Sequence, residues 1–300
     1  MASLAVAALI AMPLVSGCSA GHAAADPPTS PPLPDAASSS LSPSASPSPS
    51  RTPVNVPTAA LTKSLRSYLS DRPGEVAIAV KDQKTGASYS FNRSLRTGTA
   101  SIVKADILAT LLLQAQKSGD GLSASQRALA TRMIEASDND AASALWDQIG
   151  GGDGLAAGNR RLKLTQTDPG SGGAWGATET SAADQLRLVS AIMTPRSPLS
   201  EESREYIQGL MSKVEQDQRW GVTAASTDDD DDTWVKNGWL PRPAQGNAWT
   251  INSIGRVRGD RHDYLIAVIS QGHPAMSTGI TTIEHVVKMV TRTLAEAAEN

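Results

Sequence analysis

The stretch Thr99-Ala100-Ser101-Ile102-Val103-Lys104, followed by Ala105 to Gln116 (ADILATLLLQAQ), decides how this chain is read. The run after Lys104 is apolar on nearly every face and lacks Gly, Pro and clustered β-branched residues, which predicts a helix buried inside a domain. A serine at the mouth of a buried helix needs a reason. Lys104 lies three residues on, on the same helical face. A hydroxyl at a helix N-terminus, with positive backbone dipoles behind it and an amine in reach, is one way to build an activated nucleophile. The plainer reading makes Ser101 an N-cap and Lys104 a snorkelling surface residue, and one S-x-x-K arises by chance in a chain of this length.

On the N-terminal side, Thr58 to Leu69 has helical spacing and stops at Asp71-Arg72-Pro73-Gly74. Residues 75–81 (EVAIAVK) alternate as a strand, and 87–91 form a second one, joined as a hairpin through Asp82 to Gly86. On the C-terminal side, helices are expected over 124–136 and 141–149, the latter closed by Gly150-Gly151-Gly152. Residues 165–178 are Gly-rich and irregular, a surface loop of the kind that rims sites. Helices at 181–193 and 201–214 precede strands at 233–240, 248–257 and 263–270, and 281–297 is an amphipathic terminal helix. Strands from both ends of the chain can complete one sheet. The expected fold is therefore α+β: an antiparallel five-stranded sheet with terminal helices plus an all-helical lobe, over residues 58–300. Ligand sites favour the seam between such lobes.

Composition narrows the function. The chain has 300 residues, is 40% hydrophobic and carries a net charge of -3. Its Lys and Arg are scattered, so nucleic acid is not an expected partner. Four His residues (22, 262, 273 and 285) form no H-E-x-x-H or close pair, and Cys occurs once. No metal and no cofactor is expected, and His262, His273 and His285 show no nucleophile-base-acid spacing. Nothing marks an oligomer, so a monomer is expected.

Residues 2–15 (ASLAVAALIAMPLV) are apolar but short for a membrane span, which suits a signal h-region. They end in Val15-Ser16-Gly17-Cys18, which resembles the lipobox of bacterial lipoproteins. The resemblance implies lipidation at Cys18 after cleavage of a signal in residues 1–18, and a lipid anchor on the outer face of the cell membrane. No Lys or Arg precedes Arg51, so the basic n-region is missing: either the true start lies upstream or the signal is weak. Residues 19–57, rich in Ala, Ser and Pro, are expected to form a disordered tether.

Ser101-x-x-Lys104, Ser137-Asp138-Asn139 on a helix-to-helix loop, and Lys236-Asn237-Gly238 on a strand together resemble the S-x-x-K, S-D-N and K-T-G motifs of the serine β-lactamase and penicillin-binding protein superfamily, class A β-lactamases most of all. Residues 133–151 (MIEASDNDAASALWDQIGG) are similar in kind to that family's S-D-N helix. A literal Lys84-Thr85-Gly86 precedes Ser101 and falls in the hairpin turn, where Thr-Gly is ordinary turn chemistry.

The resemblance implies an exported serine acyl-enzyme hydrolase acting on a β-lactam or peptidoglycan-type amide. Ser101 would be the nucleophile and Lys104, held neutral, its base. That requires an ordinary amine pKa of ~10.4 to fall by roughly three, about 4 kcal/mol of differential interaction. Ser137, helped by Lys236, would pass a proton to the leaving nitrogen. Asn139 would hold the substrate's amide side chain, and Lys236 and Asn237 would face its carboxylate. Gly238 would let the substrate lie against the strand, and the N–H groups of Ser101 and Trp239 would form the oxyanion hole.

The chain also departs from that pattern. Class A enzymes carry a loop glutamate that activates the deacylating water, whereas here LTQTDPGSGGAWGATET offers only Asp168 and Glu179. Asn237 replaces the usual Thr, and the segment between Ser101 and Ser137 is short. A D-alanyl-D-alanine peptidase-like enzyme needs no such glutamate, and a non-catalytic cell-wall-binding lipoprotein is a third reading. Asp228 to Asp232 are expected to be a solvated loop, the alternative being an acidic rim that repels anionic substrates. Trp220, Trp234, Trp239 and Trp249 are expected to pack around the same strands, with Trp239 able also to meet a ligand.

Overall fold

In the computed structural model the structure describes residues 54–299. The signal-like segment with Cys18 and nearly all of the expected tether lie outside the described residues.

The elements follow the order α1 (Thr58–Leu69), β1 (Glu75–Asp82), β2 (Ser88–Phe91), β3 (Thr97–Gly98), α2 (Val103–Ser118), α3 (Ala124–Glu135), α4 (Asn139–Gln148), α5 (Gly151–Leu162), β4 (Glu179–Thr180), α6 (Ala182–Met193), α7 (Glu201–Met211), β5 (Asp232–Arg242), β6 (Ala248–Arg258), β7 (Asp263–Gln271) and α8 (Met276–Glu299). Five strands form one sheet in the order β2-β1-β7-β6-β5, every neighbouring pair antiparallel. The expected α+β fold is the one observed. β7, a continuous run of β-branched and apolar residues, is central and buried along its length apart from Gln271, as a strand covered on both faces must be. α1 and α8 pack on one another, and α6 packs on the sheet. α8 turns Ile283, Val286, Val287, Val290 and Leu294 inward at helical spacing.

Most elements obey local signals. α2 ends at Gly119, whose φ of 81° suits a left-handed cap. Ser123 and Gln126 make a capping box for α3, and Asp138 caps α4 by accepting from Ala141 N at 2.7 Å. The glycines at 150–152 close the helix before them as expected, but helix α5 follows where the sequence reading gives no element. Gly150 does turn the chain, with φ 91°, but a new helix starts at once. Its glycines make it a weak helix by propensity. Tertiary packing forms it instead: Leu155 and Leu162 are buried, and Gly158 lies against Thr110 of α2 where a Cβ would collide.

Two buried polar residues matter to the fold. Asn252 of β6 stands opposite Gly238 of β5. Its Nδ2 donates to Gly98 O and Thr99 O, both at 2.9 Å, while its Oδ1 accepts from Ser270 N at 3.0 Å. It thus clasps the entry of α2 to the sheet. Asp106 is enclosed on α2 with neither carboxylate oxygen hydrogen-bonded. Burial, with Asp184 nearby, pushes its carboxyl up to about 8, so it is held neutral at pH 7.

Two outcomes follow. Asn252→Ala leaves two carbonyls and an N–H unmatched, and urea unfolding should show a loss of about 2–3 kcal/mol. For Asp106 the folded pKa lies above the unfolded one, so its contribution is complete at pH below about 4 and is lost as pH rises through about 8, with a slope approaching ~1.4 kcal/mol per pH unit. Asp106→Asn should remove that decline, so its stability relative to the parent protein should rise steadily between those limits.

Candidate active site

Ser101 lies in a 3-10 turn, Ala100–Ile102, that runs into α2. The helix begins at Val103 with no side-chain cap, so the serine hydroxyl is not taken up as an N-cap. Ala100 is held at φ 47°, a left-handed conformation that a residue with a Cβ adopts at a cost of about 1–2 kcal/mol. The turn presses on β5. A Cβ on Gly238 would stand 2.7 Å from Ser101 N and Thr99 O and 2.8 Å from Ile102 N. This corrects the expectation for Gly238: the space its missing side chain leaves is filled by the protein's own turn, not by a ligand.

Ser137, in the turn between α3 and α4, also has a positive φ, 55°. Asp138 beside it is anchored by Arg132 at 2.7 Å. This turn meets Lys104, whose Nζ donates to Ser137 O at 2.6 Å, Ser137 Oγ at 3.1 Å and Asn139 Oδ1 at 2.8 Å. From β5, Lys236 Nζ donates to the same Ser137 Oγ at 3.1 Å and to Asn237 O at 3.1 Å. Both lysines are fully buried and neither forms an ion pair, while Ser101 and Ser137 are partly open and Asn139 is exposed. Burial brings the Lys104 ammonium down to about 8, opposed by Asp138. Burial and the neighbouring Lys104 charge hold Lys236 well below the usual amine range. The two amines titrate as a pair, and the structure favours a form in which one is neutral.

Hydrogen bonds thus join Lys104, Ser137, Asn139 and Lys236, and the Ser101 backbone lies against Gly238, with two qualifications. Ser101 Oγ forms no hydrogen bond to Lys104, because the amine's three hydrogens are directed at Ser137 and Asn139. Asn237 does not face a ligand: it is buried, and its Nδ2 donates to Gln218 O at 2.6 Å and Trp220 O at 3.0 Å. In this strand it is a clamp for the segment before β5, which corrects its expected role at a substrate carboxylate. The Trp239 ring packs edge-on against Trp220 at 5.9 Å, and Trp234 lies under Arg256 and Arg258.

Other candidates fall away. Lys84 Nζ donates to Gly259 O at 2.8 Å and Thr85 Oγ1 to Asp82 Oδ2 at 2.7 Å, so Lys84-Thr85-Gly86 is a hairpin turn. The acidic run faces the β6–β7 turn. Asp231 meets His262 at 3.2 Å, Asp232 meets Arg258 at 2.5 Å, and Arg261 lines the same cavity. Asp228, Asp229, Asp230 and Asp232 are exposed, which agrees with the expected solvated loop. His285 stacks on Tyr68 at 4.0 Å and His273 is buried. No group of three or more His, Cys, Asp or Glu among the described residues is arranged to hold a metal.

Sequence reasoning missed two residues at the site. Asn252 was detectable only as a polar residue within an apolar strand. Trp175 sits in the Gly-rich loop, with Lys104 Nζ 4.9 Å from its ring centroid. The loop's carboxylates lie elsewhere: Asp168 pairs with Arg96 at 2.7 Å, and Glu179 is exposed in β4.

A model described as the beta-lactamase enzyme family matches residues 114–294, a stretch that includes Ser137, Asn139 and Lys236 to Trp239 and starts beyond Ser101 and Lys104. The protein named "Putative lipoprotein LppW" from Mycobacterium tuberculosis (strain ATCC 25618 / H37Rv) is 27% identical over 219 residues, 71% of this chain and 68% of that protein. Among solved structures, a class A beta-lactamase from Bacteroides cellulosilyticus DSM 14838 is similar with a TM-score of 0.68 and 17% identity, covering 81% of this chain and 99% of that one. PBP-A is similar with a TM-score of 0.68 and 17% identity, covering 81% and 100%. At these identities the likeness to the solved structures is one of fold.

Proposed function

Because this chain belongs to the beta-lactamase enzyme family, we propose that it is an exported serine acyl-enzyme hydrolase that opens a β-lactam or related amide through Ser101 and releases the product slowly. The observation that carries the reading is the convergence of two buried amines, without a carboxylate partner, on one hydroxyl: Lys104 and Lys236 on Ser137 Oγ. Keeping two cations in a dry site is costly, and one neutral amine beside a hydroxyl is what proton transfer needs.

In the proposed reaction Ser101 Oγ attacks the carbonyl carbon and its proton passes to the neutral Lys104 amine. Ser137 then gives its proton to the leaving nitrogen as the C–N bond breaks, and is itself reprotonated from the ammonium side by Lys104 or Lys236. As the amine loses its charge it keeps two hydrogens, enough for Ser137 O and Asn139 Oδ1, which leaves its lone pair toward Ser137 Oγ. Asn139 offers its Nδ2 to the substrate, and the N–H groups of Ser101 and Trp239 form the oxyanion hole. A left-handed Ala100 before Ser101 supports this, since strain at a nucleophile turn fixes the direction of its N–H.

A second reading, a D-alanyl-D-alanine peptidase-like enzyme on peptidoglycan peptides, is favoured by the loop. Trp175, not a carboxylate, is the loop residue beside Lys104. For location, the lipoprotein name of the mycobacterial relative supports a lipid anchor at Cys18; with residues 19–57 as tether, the domain of 58–300 would stand on the outer face of the cell membrane.

Intact-mass spectrometry of the protein with a fluorescent penicillin, beside Ser101→Ala, tests the proposal. A covalent adduct is expected in the parent only; its absence under all conditions would leave a non-catalytic cell-wall-binding role. Release of D-alanine from a peptide ending in D-Ala-D-Ala would favour the peptidase. Neutral Lys104 is the reactive form, so the acylation rate should climb with pH and level off above about 8. Lys104→Ala should lower it by about 100-fold or more at every pH.

A further inference from the structure

The loop between α5 and β4 carries one side chain, Trp175, that packs on the edge of the core and also reaches the site. Trp175 is half-buried, with its indole against Lys104. Its Nε1–H donates to Ser143 Oγ at 3.2 Å, and Ser143 Oγ–H donates to Asn139 O at 3.0 Å, so the ring is fastened to the first turn of α4. The next residue, Gly176, lies so near the nucleophile turn that a Cβ there would be 3.8 Å from Ala100 Cα. Thr178 O accepts from Thr99 N at 2.7 Å, and the loop closes on itself where Asp168 and Glu179 exchange backbone hydrogen bonds at 2.9 Å. The loop is thus tied to residues 99 and 100 on one side of Ser101 and to the Ser137–Asn139 turn on the other. What it presents to Lys104 is an apolar plane.

Resting on the acyl-enzyme reading above, we infer that Trp175 determines the fate of the acyl-enzyme, its indole closing the loop side of Ser101 against water. Release requires a water oxygen to attack the ester carbonyl while its proton moves to a base. The carbonyl–Oγ bond then breaks, Ser101 Oγ takes back a proton, and a carboxylic acid leaves. A polar loop residue beside Lys104 would hold such a water and receive its proton. An indole whose only N–H is committed to Ser143 does neither, and it occupies the volume the water would need. The ester on Ser101 therefore outlives its formation by a wide margin, and Trp175 is a specificity-determining residue that sets the balance between capture and turnover.

The test compares the full chain with Trp175→Ala and Trp175→Phe. Each is acylated with the fluorescent penicillin, freed of excess reagent and followed by intact mass. Trp175→Ala is expected to shorten the adduct's lifetime about tenfold or more and to raise the ratio of deacylation to acylation rate by a similar factor. Trp175→Phe keeps the apolar cover and should stay within about threefold of the parent. A merely structural role would depress both rates together and leave the ratio unmoved. An adduct that forms in both parent and Trp175→Ala with lifetimes within about twofold overturns the inference and leaves the acyl-enzyme reading standing. No adduct on parent Ser101 overturns both. Should the alanine variant not fold, Trp175→Gln, which keeps much of the bulk but offers water a partner, carries the same expectation of a shortened lifetime.

Discussion

The contact on which the site depends is the approach of the Thr99–Ile102 turn to the backbone of Gly238. Nothing with a side chain at position 238 would allow it, since a Cβ there falls within 2.7–2.8 Å of three main-chain atoms. From β6, Asn252 holds the same turn by two carbonyls. These contacts fix where α2 enters the helical lobe. Because α2 is buried on almost all sides, its first turn cannot shift without disturbing the packing behind it. Ser101 thereby stands at a seam between sheet and lobe, at a position set by main chain more than by its own side chain.

Given that placement, the electrostatics follow from burial. Two amines and one carboxyl are enclosed within or beside α2 without a counter-ion at bonding distance, and each is driven toward its neutral form. Lys104 and Lys236 satisfy their hydrogens with Ser137, Asn139 and Asn237 O, so the price of removing water from them is offset by neutral acceptors. Asp106 finds no acceptor or donor at all. Thr110, one turn further along α2, is similarly unpartnered.

The long loop then decides how the site meets solvent. It is short of regular structure but not loose, being held by the β3–β4 ladder at Thr97–Gly98 and Glu179–Thr180 and by the bond from Thr99 N to Thr178 O. Through these ties the loop and the nucleophile turn behave as neighbours on one frame, and Trp175 is carried against Lys104. The exposed acidic run contributes nothing to this frame, because it lies at the opposite end of β5 from Arg242, where Asp231 and Asp232 meet His262 and Arg258.

The sequence alone was enough for the five-stranded α+β architecture and for marking Ser101, Lys104, Ser137, Asn139 and Lys236 as candidates, the last four of which the fold joins by hydrogen bonds. The architecture is legible because period-2 and period-3.6 patterns report which face of each element is buried; the group is legible because short motifs keep fixed spacing on a single turn. Asn237 and Gly238 were legible as positions but not as functions, since which way a strand residue points and what packs on it depend on segments far away in sequence. The same limit hid helix α5, whose glycines speak against a helix until Thr110 is seen filling the space beside Gly158. It hid Asn252 and Trp175 as well: neither lies in a motif, and each acquires its role from partners that only the folded chain brings within reach. Local spacing determined which groups this protein has, and tertiary packing decided which of them face water, which face one another, and which hold the backbone in place.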